Sequence, residues 1–245
     1  MNQLPDWGHH RAVLFVLDGV LTDTARAHER AWKLTFDEFL ADRFGEGFEE
    51  FTHDDYLAHV DGRRRYDGVR SFLASRGLAL PEGSPADSPA FDSVCAVGNT
   101  KNDRFRTVLA SGGIEAYPGS LALLDHLDAL GIRTAVVSSS ASARGVLEAA
   151  GLGSRFDVVI DGLEARSRRL HAKPEPDTFL EAARELGVTP SRIVVMDDVA
   201  IGVEAARAGG FGFVVGVARD GQAAALTEAG ADLVVADLAD LIPES

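Results

Sequence analysis

The stretch of sequence that decides the fold spans residues 12–24 and reads AVLFVLDGVLTDT. Six apolar residues, Ala12 to Leu17, are followed directly by Asp18 and Gly19. A run that is apolar throughout is typical of a strand buried on both faces of a parallel sheet. In open α/β sheets, ligands bind at the carboxyl ends of the strands. Residues 12–17 are therefore predicted to form a strand whose carboxyl end carries a functional residue.

Similar apolar runs recur along the chain and alternate with helical patterns. The further strands are predicted at residues 134–137, 156–160, 193–196, 213–217 and 233–235. Apolar residues at helical spacing predict helices at 119–130, 141–150, 177–186, 199–208 and 221–229. This strand–helix alternation predicts an α/β protein with a Rossmann-like, doubly wound parallel sheet.

The segment between the first strand and the rest of this pattern has a different character. Residues 25–103 are more charged, carry apolar residues at helical spacing, and contain no convincing buried strand. We predict a helical cap domain there, inserted into a discontinuous core domain of residues 11–24 and 104–245. Within the cap, residues 78–92 are rich in Pro, Gly and Ser and are predicted to be a loop. Hinges are expected near residues 24–26 and 101–104.

Composition and charge exclude several classes of function. The chain has 245 residues, with 38 acidic and 24 basic side chains and a net charge of −14. This excess of acid argues against binding to a nucleic-acid backbone or to an anionic membrane. The single cysteine, Cys95, excludes an intrachain disulfide and a multi-cysteine zinc site. We expect a soluble cytoplasmic protein, a monomer or weak dimer, without nucleic-acid or membrane partners.

The residues that follow the predicted strands share one chemistry. Asp18, Ser138, Asp197 and Asp198 come at strand ends, and Lys173 precedes the helix predicted at 177–186. Converging carboxylates repel one another unless a cation is present, and an all-oxygen site with few protein ligands suits Mg²⁺. A hydroxyl and an ammonium group beside Mg²⁺ are what a phosphoryl group requires. Simpler interpretations remain open, since a strand-end acid often caps a helix and Ser138–Ser140 would serve equally as an N-cap cluster.

Four segments, in the correct order, resemble the motifs of the haloacid dehalogenase superfamily. They are residues 15–24 (FVLDGVLTDT), Ser138, residues 173–177 (KPEPD), and Asp197-Asp198 followed by residues 202–205 (GVEA). The resemblance covers nearly the whole chain. It implies a Rossmann-like core with a helical cap, and Mg²⁺ as cofactor, with Asp18, Asp197 and Asp198 at the metal.

Within that superfamily the cap resembles β-phosphoglucomutase-like proteins, which act on phosphorylated sugars. The similar segments are His28 with residues 31–33 (AWK), residues 60–62 (VDG) with Arg65, and residues 101–103 (KND). The resemblance implies a substrate-binding set of Thr24, His28, Arg65, Lys101, Asn102, Ser139 and Ser140. Without the resemblance, Arg65 would be part of a solvated basic turn, His28 a surface histidine, and Lys101 and Asn102 part of a solvated loop.

One departure from the family pattern bears directly on activity. The first motif of the family has two aspartates, two residues apart: a nucleophile that becomes an aspartyl phosphate, and a general acid–base. Here those positions hold Val16 and Asp18, and valine cannot form a covalent phosphoryl intermediate. The expected catalytic set is therefore Asp18, Ser138 and Lys173, with Val16 at the nucleophile position.

Three functions follow from this combination. The first is a Mg²⁺-dependent phosphosugar phosphotransferase or phosphatase that is impaired by Val16. The second is a non-catalytic pseudoenzyme that binds a phosphosugar or phosphate. The third is an accessory domain in sugar metabolism, such as that of trehalose or maltose.

Overall fold

The computed structural model describes residues 4–111, 114–219 and 221–243. The chain divides into two compact units: Met1–Asp23 together with Ile114–Ser245, and Thr24–Gly113. We call the first the core unit and the second the cap unit.

The core unit is built on one sheet of six strands, all parallel. The strands are β1 (Ala12–Phe15), β2 (Arg133–Val137), β3 (Val158–Ile160), β4 (Ile193–Asp197), β5 (Phe213–Val217) and β6 (Leu233–Val235). Their order across the sheet is β3-β2-β1-β4-β5-β6. Every residue of β1 is buried, as its unbroken apolar sequence requires. The predicted parallel α/β sheet is confirmed.

The cap unit is helical. It contains α1 (Ala25–Phe44), α2 (His53–Asp55), which continues into a π-helical turn (Tyr56–Val60), α3 (Arg65–Ser75) and α4 (Val94–Ser111). Aromatic rings from α1, α3 and the intervening segment form its core, with Phe36 4.1 Å from Phe72 and 5.0 Å from Trp32 between ring centroids. The described part of this unit contains no strand.

Helix α4 changes the expected cap boundary. It runs unbroken from Val94 to Ser111, so a boundary after residue 103 and a hinge at 101–104 both fall inside a helix. The chain divides near residue 113 instead. The loop predicted at residues 78–92 does lack regular secondary structure.

Six further helices belong to the core unit. They are α5 (Pro118–Ala129), α6 (Ala143–Ala149), α7 (Gly162–Ser167), α8 (Asp177–Leu186), α9 (Ala200–Ala208) and α10 (Ala223–Glu228). In α8 the buried residues Phe179, Ala182, Ala183 and Leu186 repeat at the spacing of one helix face. Helix α7 was not predicted, because Ala165 is its only buried residue; Asp161 caps it by accepting from the backbone N–H groups of Leu163 and Glu164.

Across the described ranges, no helix is both long enough and apolar enough to cross a membrane.

Candidate active site

The sheet order brings the predicted strand-end residues to one edge. Strands β2, β1 and β4 are neighbours and parallel, so their carboxyl ends lie side by side. Ser138 follows β2, Asp18 lies three residues beyond β1, and Asp197 and Asp198 lie at the end of β4. The core unit therefore assembles these four residues at its ligand-binding edge.

Val16 continues the central strand into this edge. Its backbone N–H donates to the carbonyl oxygen of Met196, 3.1 Å away, which extends the pairing of β1 with β4 by one residue. The residue is only 5% exposed. Position 16 thus has a fixed backbone, and its side chain offers methyl groups and no polar atom.

The loop after β1 packs against the carboxylate of Asp198. Gly19 has φ of +73°, and a Cβ there would lie 1.8 Å from Oδ2 of Asp198. The loop is closed by a hydrogen bond from Gly19 N to Thr22 O (3.0 Å). The Asp198 carboxylate therefore lies against the backbone of the loop that carries Asp18, and only glycine permits that approach.

Gly19→Ala tests this packing. The left-handed conformation alone costs alanine about 1–2 kcal/mol of folding free energy, and the methyl group must also displace the Asp198 carboxylate. Gly131→Ala is the matched control, since Gly131 has φ of +67° but nothing within 4 Å of the Cβ position. We expect Gly19→Ala to lose more stability than Gly131→Ala in urea unfolding, because only Gly19→Ala also displaces a carboxylate. Only Gly19→Ala should weaken binding of Mg²⁺ and phosphate, and equal binding by both variants would contradict the packing argument.

Lys173 and Asp197 form a buried ion pair. Lys173 Nζ lies 2.5 Å from Oδ2 of Asp197, and the two side chains are 6% and 0% exposed. The other oxygen, Oδ1, accepts from the backbone N–H of Val199 at 3.0 Å. Because both carboxylate oxygens are already engaged, Asp197 fits the role of positioning Lys173. The expected place of Asp197 at the metal stays a prediction.

The serine segment after β2 makes local backbone contacts. Ser138 Oγ accepts from Ser140 N at 3.1 Å, and Ser140 Oγ accepts from Ser142 N at 3.2 Å. Helix α6 has no side-chain N-cap hydrogen bond, so the N-cap interpretation is wrong. Ser138 is buried at the strand end, and its hydroxyl proton can still be donated to a ligand. Ser139 and Ser140 are half-buried in the same turn.

In the cap unit, the predicted residues form two groups. In the first, Lys101 Nζ lies 2.5 Å from His28 Nδ1, and the His28 ring stacks on Phe105 with 3.8 Å between centroids. Lys101 is buried in α4 and lies 5.0 Å from the ring centroid of Trp32. The solvated-loop interpretation of Lys101 is therefore wrong, and His28 is half-buried between side chains.

The second cap group surrounds a guanidinium. Arg65 donates to Oδ1 of Asn102 at 2.7 Å and to Oδ1 of Asn99 at 3.3 Å. Asn99 was not predicted; its position one helical turn before Asn102 on α4 was the available signal. Thr24 precedes α1 and is buried, without a side-chain capping bond.

Sequence reasoning also missed two residues of the core unit. Arg219, two residues after β5, donates from Nε to Gly19 O at 3.0 Å, and its guanidinium carbon lies 3.6 Å from the ring centroid of Tyr117. The Tyr117 hydroxyl donates to Oδ1 of Asp23 at 3.1 Å. Burial, with a further contribution from Asp23, raises the pKa of the Tyr117 phenol well above its usual value, so the phenol keeps its proton at neutral pH. Asp18 was selected because it follows a predicted strand, and Arg219 also follows one, so the same criterion would have selected it.

The donor set at the edge fits a Mg²⁺ ion that is shared with a ligand. Within the parts of the chain that the structure describes, no group of three or more His, Cys, Asp or Glu side chains could hold a metal. The carboxylates at the edge are those of Asp18, Asp197 and Asp198, and Asp197 also bonds Lys173. Mg²⁺ usually takes one or two carboxylates, keeps several waters and binds substrate phosphates. Asp18 and Asp198 match that pattern.

A parallel sheet of this order, a helical unit inserted after its central strand, and acidic residues at the ends of β1 and β4 define a Rossmann-like α/β protein with a ligand-binding edge. The family model described as haloacid dehalogenase-like hydrolase matches residues 10–210. The chain belongs to the haloacid dehalogenase-like hydrolase family.

Comparison with individual proteins shows which members of the family the chain is similar to. It is 48% identical to a β-phosphoglucomutase of Mycobacterium tuberculosis, over 95% of this chain and 91% of that protein. It is 38% identical to an uncharacterized glycosyl hydrolase of the same species, over 96% of this chain but only 18% of that protein. Among solved structures, CbbY from Rhodobacter sphaeroides in complex with phosphate aligns with a TM-score of 0.71 and 26% identity, over 95% of this chain and 96% of the other. The chain is thus a β-phosphoglucomutase-like member of the family.

Proposed function

We propose that this chain binds a phosphorylated sugar together with Mg²⁺ at the carboxyl edge of the core sheet, and that it is impaired in covalent phosphoryl transfer. The observation that carries the proposal is Val16, buried at the end of β1 in the position of the nucleophilic aspartate of the first motif. The other residues of the motifs are present in this chain. We therefore propose that the chain still binds the phosphorylated sugar but does not form the covalent phosphoryl intermediate efficiently.

The phosphoryl group would be held by two donors. The ammonium group of Lys173 is oriented by Asp197, and the Ser138 hydroxyl follows β2 at the same edge of the sheet. Both are buried, where a hydrogen bond to a charged oxygen is strong. A lysine held in this way supplies a positive charge without having to be reorganised when a phosphate arrives.

Asp18, through its backbone carbonyl oxygen, and Asp198, through its carboxylate, are proposed as protein ligands of Mg²⁺, with Asp197 nearby. When bound, Mg²⁺ would neutralise part of the negative charge on the phosphate oxygens. Asp18 would also hold or deliver the proton of the sugar hydroxyl, as the general acid–base of the first motif does. With valine at position 16, no side-chain oxygen is available there to attack phosphorus.

The cap residues are proposed to bind the sugar. Arg65 presents a guanidinium held by two amide oxygens, and it can bind hydroxyl groups or a second phosphate. The pair of Lys101 and His28 adds a second buried cationic group in the same unit. Both groups suit a polyhydroxylated anion better than an apolar ligand.

Isothermal titration calorimetry of the unmodified chain tests this proposal. β-Glucose 1-phosphate and inorganic phosphate would be titrated with and without Mg²⁺, against the parent and Ser138→Ala. Loss of a hydrogen bond to a charged group costs about 1.5–3 kcal/mol, so Ser138→Ala should bind at least about tenfold more weakly. Ser167→Ala, whose hydroxyl bonds within α7, should bind like the parent. If the parent binds neither ligand in the presence of Mg²⁺, the proposal is wrong.

A second candidate is an accessory domain in sugar metabolism. It is favoured by the match to 18% of a longer protein described as a glycosyl hydrolase. In that case, calorimetry with unphosphorylated sugars as additional ligands should show binding as strong as that of their phosphates.

A further inference from the structure

We infer that Arg219 is a positioning residue for the loop between β1 and α1, and that its guanidinium fixes the loop backbone from which Asp18 projects. The link to ligand binding rests on the proposed function, whereas the structural part does not. Arg219 lies outside all four motifs that revealed the family. It is 18% exposed at its side chain, which is low for an arginine in a surface connection.

The contacts of the guanidinium join two separate segments of the core unit. On one side, Nε donates to Gly19 O at 3.0 Å and Nη2 approaches Val20 O at 3.5 Å. On the other side, Nη1 donates to Ala236 O at 3.3 Å and lies 3.5 Å from Oδ2 of Asp237. The planar guanidinium of an arginine carries five N–H donors and can make all these contacts at once. A lysine ammonium is a single compact charge and cannot reach both segments in this way. Arg219 therefore ties the loop after β1 to the segment after β6.

The first turn of α5 and the residue before it hold the same loop from another direction. The guanidinium stacks on Tyr117 at 3.6 Å, and the Tyr117 backbone N–H donates to Leu21 O at 3.0 Å. Ser120 Oγ donates to Val20 O at 2.7 Å. Three consecutive carbonyl groups, those of residues 19, 20 and 21, thus each accept a hydrogen bond from Arg219, Tyr117 or Ser120.

This bracing matters because of how closely Gly19 and Asp198 pack. A Cβ on Gly19 would overlap the Asp198 carboxylate, so a shift of the Gly19 backbone changes the space between Asp18 and Asp198. Misplacement of a functional group by about 1 Å can cost about 10²-fold in rate. Several residues contact this loop. Among the contacts described for the core unit, only that of Arg219 is a side-chain hydrogen bond to the carbonyl group of Gly19.

Hydrogen exchange and calorimetry on Arg219→Met and Arg219→Lys test the inference. Arg207→Met is the matched control, because Arg207 also bonds a backbone carbonyl (Gly230) and an aspartate (Asp232), but before β6. We expect both Arg219 variants to speed exchange of the Gly19 and Thr22 amides about tenfold or more, while the amides of β4 remain protected. Binding of β-glucose 1-phosphate with Mg²⁺ should weaken by a similar factor. Arg207→Met should change neither quantity.

The outcomes separate this inference from the proposed function. Unchanged exchange in residues 18–23 for Arg219→Met would overturn the positioning role, whether or not the protein binds phosphosugars. If Arg219→Lys protects the amides of residues 18–23 as well as the parent does, the inference is also overturned. A positive charge would then be sufficient to hold the loop, without the planar guanidinium. If the parent binds no phosphosugar but exchange responds as expected, the structural role of Arg219 stands and the proposed function fails.

Discussion

Val16→Asp is expected to give the chain Mg²⁺-dependent phosphoryl turnover well above that of the parent. The substitution restores a carboxylate at the end of β1, beside the strand end that carries Asp197 and Asp198. Removing a catalytic nucleophile elsewhere costs about 10⁶-fold in kcat, so the gain can approach that size if the remaining site is intact. Phosphate release or transfer would be measured with β-glucose 1-phosphate and a panel of hexose phosphates.

Two controls make the result specific to a nucleophile. Val16→Asn has nearly the same shape as the aspartate variant but cannot form an acyl phosphate, and it should stay inactive. Adding Asp18→Asn to Val16→Asp should remove most of the gained activity, because Asp18 then no longer transfers a proton. Turnover by the parent at enzymatic rates would refute the mechanism, since another group would have to attack phosphorus.

Asp197→Asn is expected to produce the largest loss of stability at the site. Lys173 is buried and its ammonium group lies 2.5 Å from Asp197, so the variant leaves a buried charge without its countercharge. Breaking a buried ion pair by removing one partner costs about 3–5 kcal/mol. The free energy of unfolding would be measured by urea denaturation, followed by circular dichroism.

Two further variants distinguish a buried charge from a lost hydrogen bond. Lys173→Met combined with Asp197→Asn removes both charges and should recover most of the lost stability. Glu50→Gln breaks an ion pair with Lys33 in which both side chains are well exposed, and exposed pairs contribute little to stability. If Asp197→Asn costs no more stability than Glu50→Gln, the buried ion pair of Lys173 and Asp197 does not contribute as its burial implies.

The strands and the edge of the sheet were predictable because their signals are local. Each apolar run stops at a polar or small residue, and β5, β6 and α8 have the predicted bounds. The parallel order then brings Asp18, Ser138 and Asp198 to one edge without further information. β1 and β3 are each two residues shorter than predicted, because apolar residues extend beyond these strands. β2 and β4 are each one residue longer than predicted.

Features that depend on distant partners were not predictable in the same way. The sequence around Asp197 does not show that its carboxylate bonds Lys173, which lies 24 residues earlier in the chain. Helix α4 was missed because polar residues such as Asn99 and Asn102 interrupt its apolar pattern, yet those residues bond Arg65 across the cap unit. Local spacing identifies candidates for a site, but the choice among partners is made by the fold.

The position of β1 in the sheet also orders the events of synthesis. Ala12 pairs with Arg133 on one side and with Ile193 on the other. As the chain leaves the ribosome, the central strand is made first and waits for more than a hundred residues before either neighbour exists. The whole cap unit is made during that interval, and residues 24–113 form a compact unit of their own. The cap can therefore fold first, and the ligand-binding edge is among the last parts of the protein to form.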